Sequence, residues 1–128
     1  MLALASARAL LEHGLSGLAL LDLPAAIENG KAAIDSLRTD FPAAKIIVKP
    51  CDVTVSNEVR EVVQKAREQL GELTILCCFA GMVNCVAAEN LPIEQWKRVL
   101  DVNTTGSWIA AQTVGRYVSQ SLLAILDV

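Results

Sequence analysis

The sequence predicts an α/β chain in which a parallel sheet carries helices on both faces. Three observations support that expectation. Short apolar runs at Leu18–Asp22, Lys45–Lys49 and Leu73–Phe79 have the length and content of strands buried on both faces. Between them lie segments with apolar residues three and four apart, the mark of amphipathic helices. Alternation of the two kinds of segment implies right-handed crossovers and a parallel order.

Each element has its own local reason. Leu4, Ala7 and Leu11 share one helical face, Arg8 and Glu12 stand four apart on another as an expected ion pair, and Gly14 is a helix stop. Pro24 opens a second helix in which Ile27, Ile34, Leu37 and Phe41 keep helical spacing, and Pro42 ends it. Ser56 is a candidate cap for a third helix with Val59, Val62, Val63, Ala66 and Leu70 inward and Gly71 beyond its end. Pro92 starts a helix with Ile93, Trp96 and Leu100 as its apolar side, and a separate helix is expected over Asn103 to Val118. The apolar tail Leu122–Leu126 reads as one more strand. No repeat or linker interrupts this pattern, so residues 1–128 read as a single domain.

Composition narrows the function classes. Eleven Lys and Arg against fourteen Asp and Glu leave no basic stripe, which argues against a nucleic-acid partner. No apolar run is long enough to span a bilayer, and Arg8, Glu12 and His13 break the signal-like character of the N-terminus; a cytoplasmic protein is expected. Cys51, Cys77, Cys78 and Cys85 form no Cys-x-x-Cys pair, and His13 is the only histidine. No metal site is expected, and the four cysteines read as buried free thiols.

In an open parallel sheet, ligands bind beyond the carboxyl ends of the strands. Three such ends carry suggestive residues. Asp22 is placed to accept hydrogen bonds from ribose hydroxyls and to repel a 2′-phosphate, favouring NAD over NADP; the plain alternative is a helix-capping Asp. Asp52 with Val53 suits an adenine ring, or else Asp52 is an ordinary turn residue. Ala80 and Gly81 permit close backbone approach to a ligand, or simply turn the chain.

Taken in order, Arg8-Ala-Leu-Leu-Glu-His-Gly14, Leu20-Leu-Asp22, Cys51-Asp-Val-Thr54, Ala80-Gly81 and Asp101-Val-Asn-Thr-Thr-Gly106 resemble the signposts of the short-chain dehydrogenases/reductases. Cys77-Cys-Phe-Ala-Gly81 is similar in style to fungal carbonyl or sugar-alcohol reductases. The resemblance implies a Rossmann-like doubly wound sheet and an NAD(P)-dependent oxidoreductase acting on a small alcohol or carbonyl compound, in a family that is usually homo-oligomeric. It implies that Asp22 holds the adenosine ribose, that Asp52 and Val53 hold adenine, and that Ala80 and Gly81 line the cofactor. Asn103 matches the family's catalytic Asn, whose backbone holds a water of the proton relay; the plain alternative is a polar helix residue. Phe79 stands where the family motif has Asn.

The sequence also departs from the family pattern. Met1 falls on the second-last glycine of the family's phosphate-cradling turn and Ala3 on the last, so that turn and the strand before it lie outside these residues. Asp127 and Val128 fall where the family has its catalytic Ser. Tyr117 is followed four residues later by Ser121 rather than Lys, and no Lys occurs after Lys97. The Rossmann-like domain is therefore expected to be partial, and turnover by these residues alone is not expected. Two other readings remain at this stage: a non-catalytic module that binds a protein through a face bearing Trp96 and Trp108, and a flavodoxin-like fold. In the strand order that the resemblance implies, the strand outside these residues lies between those ending at Asp22 and Phe79. The expected response is direct pairing of these two in a static structure and edge aggregation in solution.

Overall fold

The computed structural model describes residues 2–118. Helix α1 (Leu2–Glu12) leads to strand β1 (Gly17–Asp22), helix α2 (Pro24–Asp40), strand β2 (Lys45–Pro50) and helix α3 (Ser56–Leu70). A long segment without regular structure follows, closed by a short turn at Ala88–Asn90. The chain then runs through α4 (Ile93–Leu100), a π-helical segment (Asp101–Gly106) and α5 (Ser107–Val118) with no break between them. The two helices expected here are one helix, interrupted by a widened turn. Among the described residues no helix is long and apolar enough to cross a membrane.

Strands β1 and β2 pair in parallel, from Gly17 opposite Lys45 to Asp22 opposite Pro50. Two more bonds extend the ladder, Lys45 N–H to the Ser16 carbonyl and Cys51 N–H to the Asp22 carbonyl, both 2.9 Å. Helices cover both faces, as expected of a doubly wound sheet. On one face Leu18, Leu20 and Ile46 pack against Ala7, Leu11 and Leu37 of α1 and α2. On the other, Cys51 packs with Val59, Val62 and Val63 of α3 and Val114 of α5. Of the helix residues named inward from spacing, Ala7, Leu11, Leu37, Val59, Val62 and Val63 are therefore buried in these clusters. Gly14 and Gly71 end α1 and α3 at φ +92° and +87°, a backbone region that L side chains rarely adopt.

Several expectations change. Leu73–Phe79 forms no ladder among the described residues, and the only sheet there is the pair β1–β2. The segment does not close onto β1 either, so among the described residues β1 keeps an open edge. A strand needs a neighbour's N–H and C=O groups, and apolar content alone does not supply them. Ile75, Leu76 and Phe79 are consequently exposed, and no residue of β1 is fully buried. Of the four thiols only Cys51 is buried; Cys77, Cys78 and Cys85 are exposed.

Arg8 turns from Glu12 to the end of α2, where it meets Asp40 at 2.7 Å. Ser56 is the first residue of α3, while Val55 takes the cap position without a side-chain bond. Ile93, Trp96 and Leu100 face outward, and Trp108 is 64% exposed. The tail strand expected at Leu122–Leu126 lies outside the described residues, as do Ser121, Asp127 and Val128.

Candidate functional site at the carboxyl ends of the strands

β1 ends at Asp22, an exposed residue whose Oδ1 accepts the Leu23 N–H at 2.8 Å. Leu23, not Asp22, caps α2, with Pro24 at its first turn. The other carboxylate oxygen of Asp22 has no protein partner among the described residues. An exposed carboxylate at this strand end has the chemistry to accept hydrogen bonds from a diol.

Two residues past β2, Asp52 builds a rigid turn. Its Oδ1 accepts the Thr54 N–H at 2.9 Å and the Thr54 hydroxyl at 2.7 Å. Its carbonyl accepts the Val55 N–H at 3.0 Å, and its own N–H donates to Glu58 Oε2 at 3.0 Å. The Thr54 hydroxyl and N–H together hold the Asp52 carboxyl below the usual carboxylate range. The turn role of Asp52 is thus realised. It leaves Oδ2 without a hydrogen-bond partner among the described residues. Val53 next to it packs its Cγ2 on Gly106: a Cβ placed on that glycine would lie 2.7 Å from it. Cys51, on the inner side of the same turn, has its thiol pushed up by burial and then by the charges of Glu58 and Asp52.

Ala80 and Gly81 lead into Met82, and Asn103 holds this stretch from the π-helical segment. Asn103 Oδ1 accepts the Met82 N–H at 2.8 Å, and Asn103 Nδ2 donates to the Met82 carbonyl at 2.9 Å. The Asn103 carbonyl accepts the Ser107 hydroxyl at 3.1 Å.

The named residues therefore form one connected row. Asp22 is bonded to Cys51, which precedes Asp52 and Val53; Val53 touches Gly106; Asn103 of the same segment grips the residue after Gly81. Sequence reasoning named Asp22, Asp52, Val53, Ala80, Gly81 and Asn103 as site residues, carried Thr54 and Gly106 only as the ends of motifs, and missed Met82 and Ser107. Gly106 closes the Asp101–Gly106 motif, and its fixed place there was the available signal.

A parallel sheet with helices on both faces, and its candidate site beyond the strand ends, defines the doubly wound Rossmann-like class. The family profile described as short chain dehydrogenase matches residues 2–124, and the chain belongs to that family.

An NAD-dependent glycerol dehydrogenase of Listeria innocua is 29% identical over 97 residues, covering 76% of this chain and 35% of that protein. A glycine betaine reductase of Emericella nidulans is 34% identical over 76 residues, 58% of this chain and 6% of that protein. Among solved structures, an NADPH-bound short chain oxidoreductase of Pseudomonas aeruginosa with an atypical catalytic centre superposes with a TM-score of 0.82 at 25% identity, covering 91% of this chain and 44% of that one. A putative dehydrogenase of Burkholderia cenocepacia with bound NADP gives a TM-score of 0.82 at 18% identity, covering 92% and 44%. The chain thus spans about a third of that curated dehydrogenase and less than half of those structures.

Proposed function

We propose that these residues form the adenosine-side half of the cofactor site of an NAD(P)-dependent oxidoreductase that interconverts a small alcohol and its carbonyl compound. The observation that carries this reading is the connected row from Asp22 through Val53, Gly106 and Asn103 to Met82, lying across the carboxyl ends of the strands. Asp22 would hold the ribose hydroxyls, Asp52 and Val53 the adenine, and Ala80 and Gly81 the cofactor's further reach. The dinucleotide, when bound, supplies the hydride. The Asn103 carbonyl is the atom with which the family relay water would bond; the Ser107 hydroxyl already uses part of its capacity. Tyr117 lacks a Lys four residues on, so turnover is expected only from a polypeptide that carries a Tyr-x-x-x-Lys.

NMR titration with AMP, NAD and NADP tests the assignment. NAD is expected to bind at about millimolar strength, more tightly than NADP, and to weaken in Asp22→Ala. Tighter NADP binding, or an unchanged Asp22→Ala, overturns the NAD preference. A reducing, cytoplasmic setting fits three exposed free thiols.

The outward face bearing Trp96 and Trp108 favours a second reading, a non-catalytic module that binds another protein. A stoichiometric protein partner recovered without nucleotide distinguishes it from the first.

A further inference from the structure

We propose that the π-helical segment Asp101–Gly106 is a two-armed clamp that holds the two loops of the candidate nucleotide site in register, with Asn103 and Gly106 as its positioning residues. The proposal rests on the reading of the site given above.

The first arm is the Asn103 carboxamide. It accepts from the N–H and donates to the C=O of the same residue, Met82, at 2.8 and 2.9 Å. Only an amide side chain presents an acceptor and a donor side by side for such a pairing. Aspartate, its isostere, loses the donor. The loop it grips has no ladder among the described residues, so this pair of bonds is a principal tether for Ala80–Met82. A Cβ on Gly81 would sit 3.6 Å from Asn103 Oδ1, so the amide lies directly against that glycine.

The second arm is the bare backbone of Gly106. A Cβ there would meet Val53 Cγ2 at 2.7 Å, Val53 Cβ at 3.1 Å and the Asp101 carbonyl oxygen at 3.3 Å. Two of those atoms belong to the Asp52–Val55 turn, which is already stiffened by the Asp52–Thr54 and Asp52–Glu58 bonds. It has little room to give. The two arms stand three residues apart on one helical segment, so a shift of either loop is felt at the other. Widened helix turns of this kind are frequent at functional sites.

The test uses the whole 128-residue chain, labelled with ¹⁵N, in five forms: wild type, Gly106→Ala, Val53→Ala, Gly106→Ala with Val53→Ala, and Asn103→Asp. Gly106→Ala is expected to shift the amides of both Val53 and Met82. It is also expected to weaken AMP and NAD by about tenfold, a typical overpacking cost. Adding Val53→Ala opens the space and is expected to restore both the Met82 amide and most of the affinity. A merely destabilising change would not be rescued in this way. Asn103→Asp keeps the acceptor for the Met82 N–H but sets a carboxylate against the Met82 carbonyl, so it is expected to shift the Met82 and Val83 amides, shift Val53 as well, and weaken NAD more than AMP.

If Gly106→Ala does not fold, Val53→Ala alone still reports, because losing the contact should speed amide exchange at Met82. Shifts confined to one loop, or no rescue by Val53→Ala, overturn the clamp. Absence of nucleotide binding by the wild type overturns the proposed site instead, and the cross-loop shifts, which need no ligand, judge the clamp separately.

Discussion

Arg8 of α1 and Asp40 at the end of α2 meet at 2.7 Å, and the same guanidinium lies 5.7 Å above the Phe41 ring. Ser36 also bonds both partners, at 3.3 Å to Arg8 and 3.2 Å to Asp40. These contacts tie the two helices that cover one face of the sheet. Arg8→Ala is expected to lower the thermal midpoint, and Arg8→Lys to recover only part of it, since Lys lacks the planar fork. Because the pair is solvent-exposed, the difference should shrink in high salt. A midpoint unchanged in Arg8→Ala at low salt contradicts this.

Acid should destabilise the fold through two carboxyls. The Arg8 guanidinium and then the Ser36 hydroxyl hold Asp40 below the usual carboxylate range, and the Thr54 hydroxyl and N–H do the same for Asp52. A lowered folded pKa contributes stability that is present above the unfolded value of about 4 and is lost as pH falls through the folded value. Denaturant melts between pH 6 and pH 2 should steepen below about pH 4, and Asp52→Asn should flatten that slope. An equal slope in the variant excludes Asp52.

Thiol accessibility should split the cysteines. With an aromatic disulfide at pH 8, Cys77, Cys78 and Cys85 are exposed and should react in the native state. Cys51 is buried, and burial raises its thiol, so it should react only on unfolding. Within the exposed set, partial burial followed by the Cys77 neighbour raises Cys78, which should lag. Mass-resolved labelling reads each site. Early labelling of Cys51 would mean that the α3–α5 core opens readily.

The open edge of β1 should be visible by hydrogen exchange. The ladder bonds to β2 alternate along the strand, which places the Ala19 and Leu21 N–H groups on the unpaired side. Those two amides should exchange much faster than those of Leu18 and Leu20. Unpaired edges also template aggregation, so solubility should fall with concentration. Equal protection of all four amides in a monomer would show that another segment covers this edge.

Leu37 is the largest fully buried side chain among the described residues and sits in the α1–α2 core. Leu37→Ala should cost about 2–5 kcal/mol by lost transfer energy and cavity formation. With native domains stable by about 5–15 kcal/mol, and this one short of sheet, the variant should populate unfolded chain at 37 °C. Circular dichroism melts check this, and a loss of under about 1 kcal/mol would show that the site collapses around the smaller side chain.

The sequence by itself determined the first three helices and their inward faces. Ala7 with Leu11, Ile34 with Leu37, and Val59 with Val62, Val63 and Ala66 are all buried, and Gly14 and Gly71 end their helices at positive φ. Those features depend on the spacing of residues within one segment, and a linear reading contains that spacing. The ends of β1 and β2 were legible for a related reason: Asp22 and Asp52 follow apolar runs at the distances a doubly wound sheet requires.

Tertiary structure decided the rest. Leu73–Phe79 has the content of a strand, but a ladder is a property of two strands' backbone groups, and no neighbour is in place among the described residues. The exposure of Cys77 and Cys78 follows from that gap. Arg8 had two acids within reach, and the packing of α1 on α2 selected Asp40 over Glu12. The π-helical segment depends on Val53 and Met82, residues distant in the chain whose arrival at Gly106 and Asn103 no local periodicity encodes.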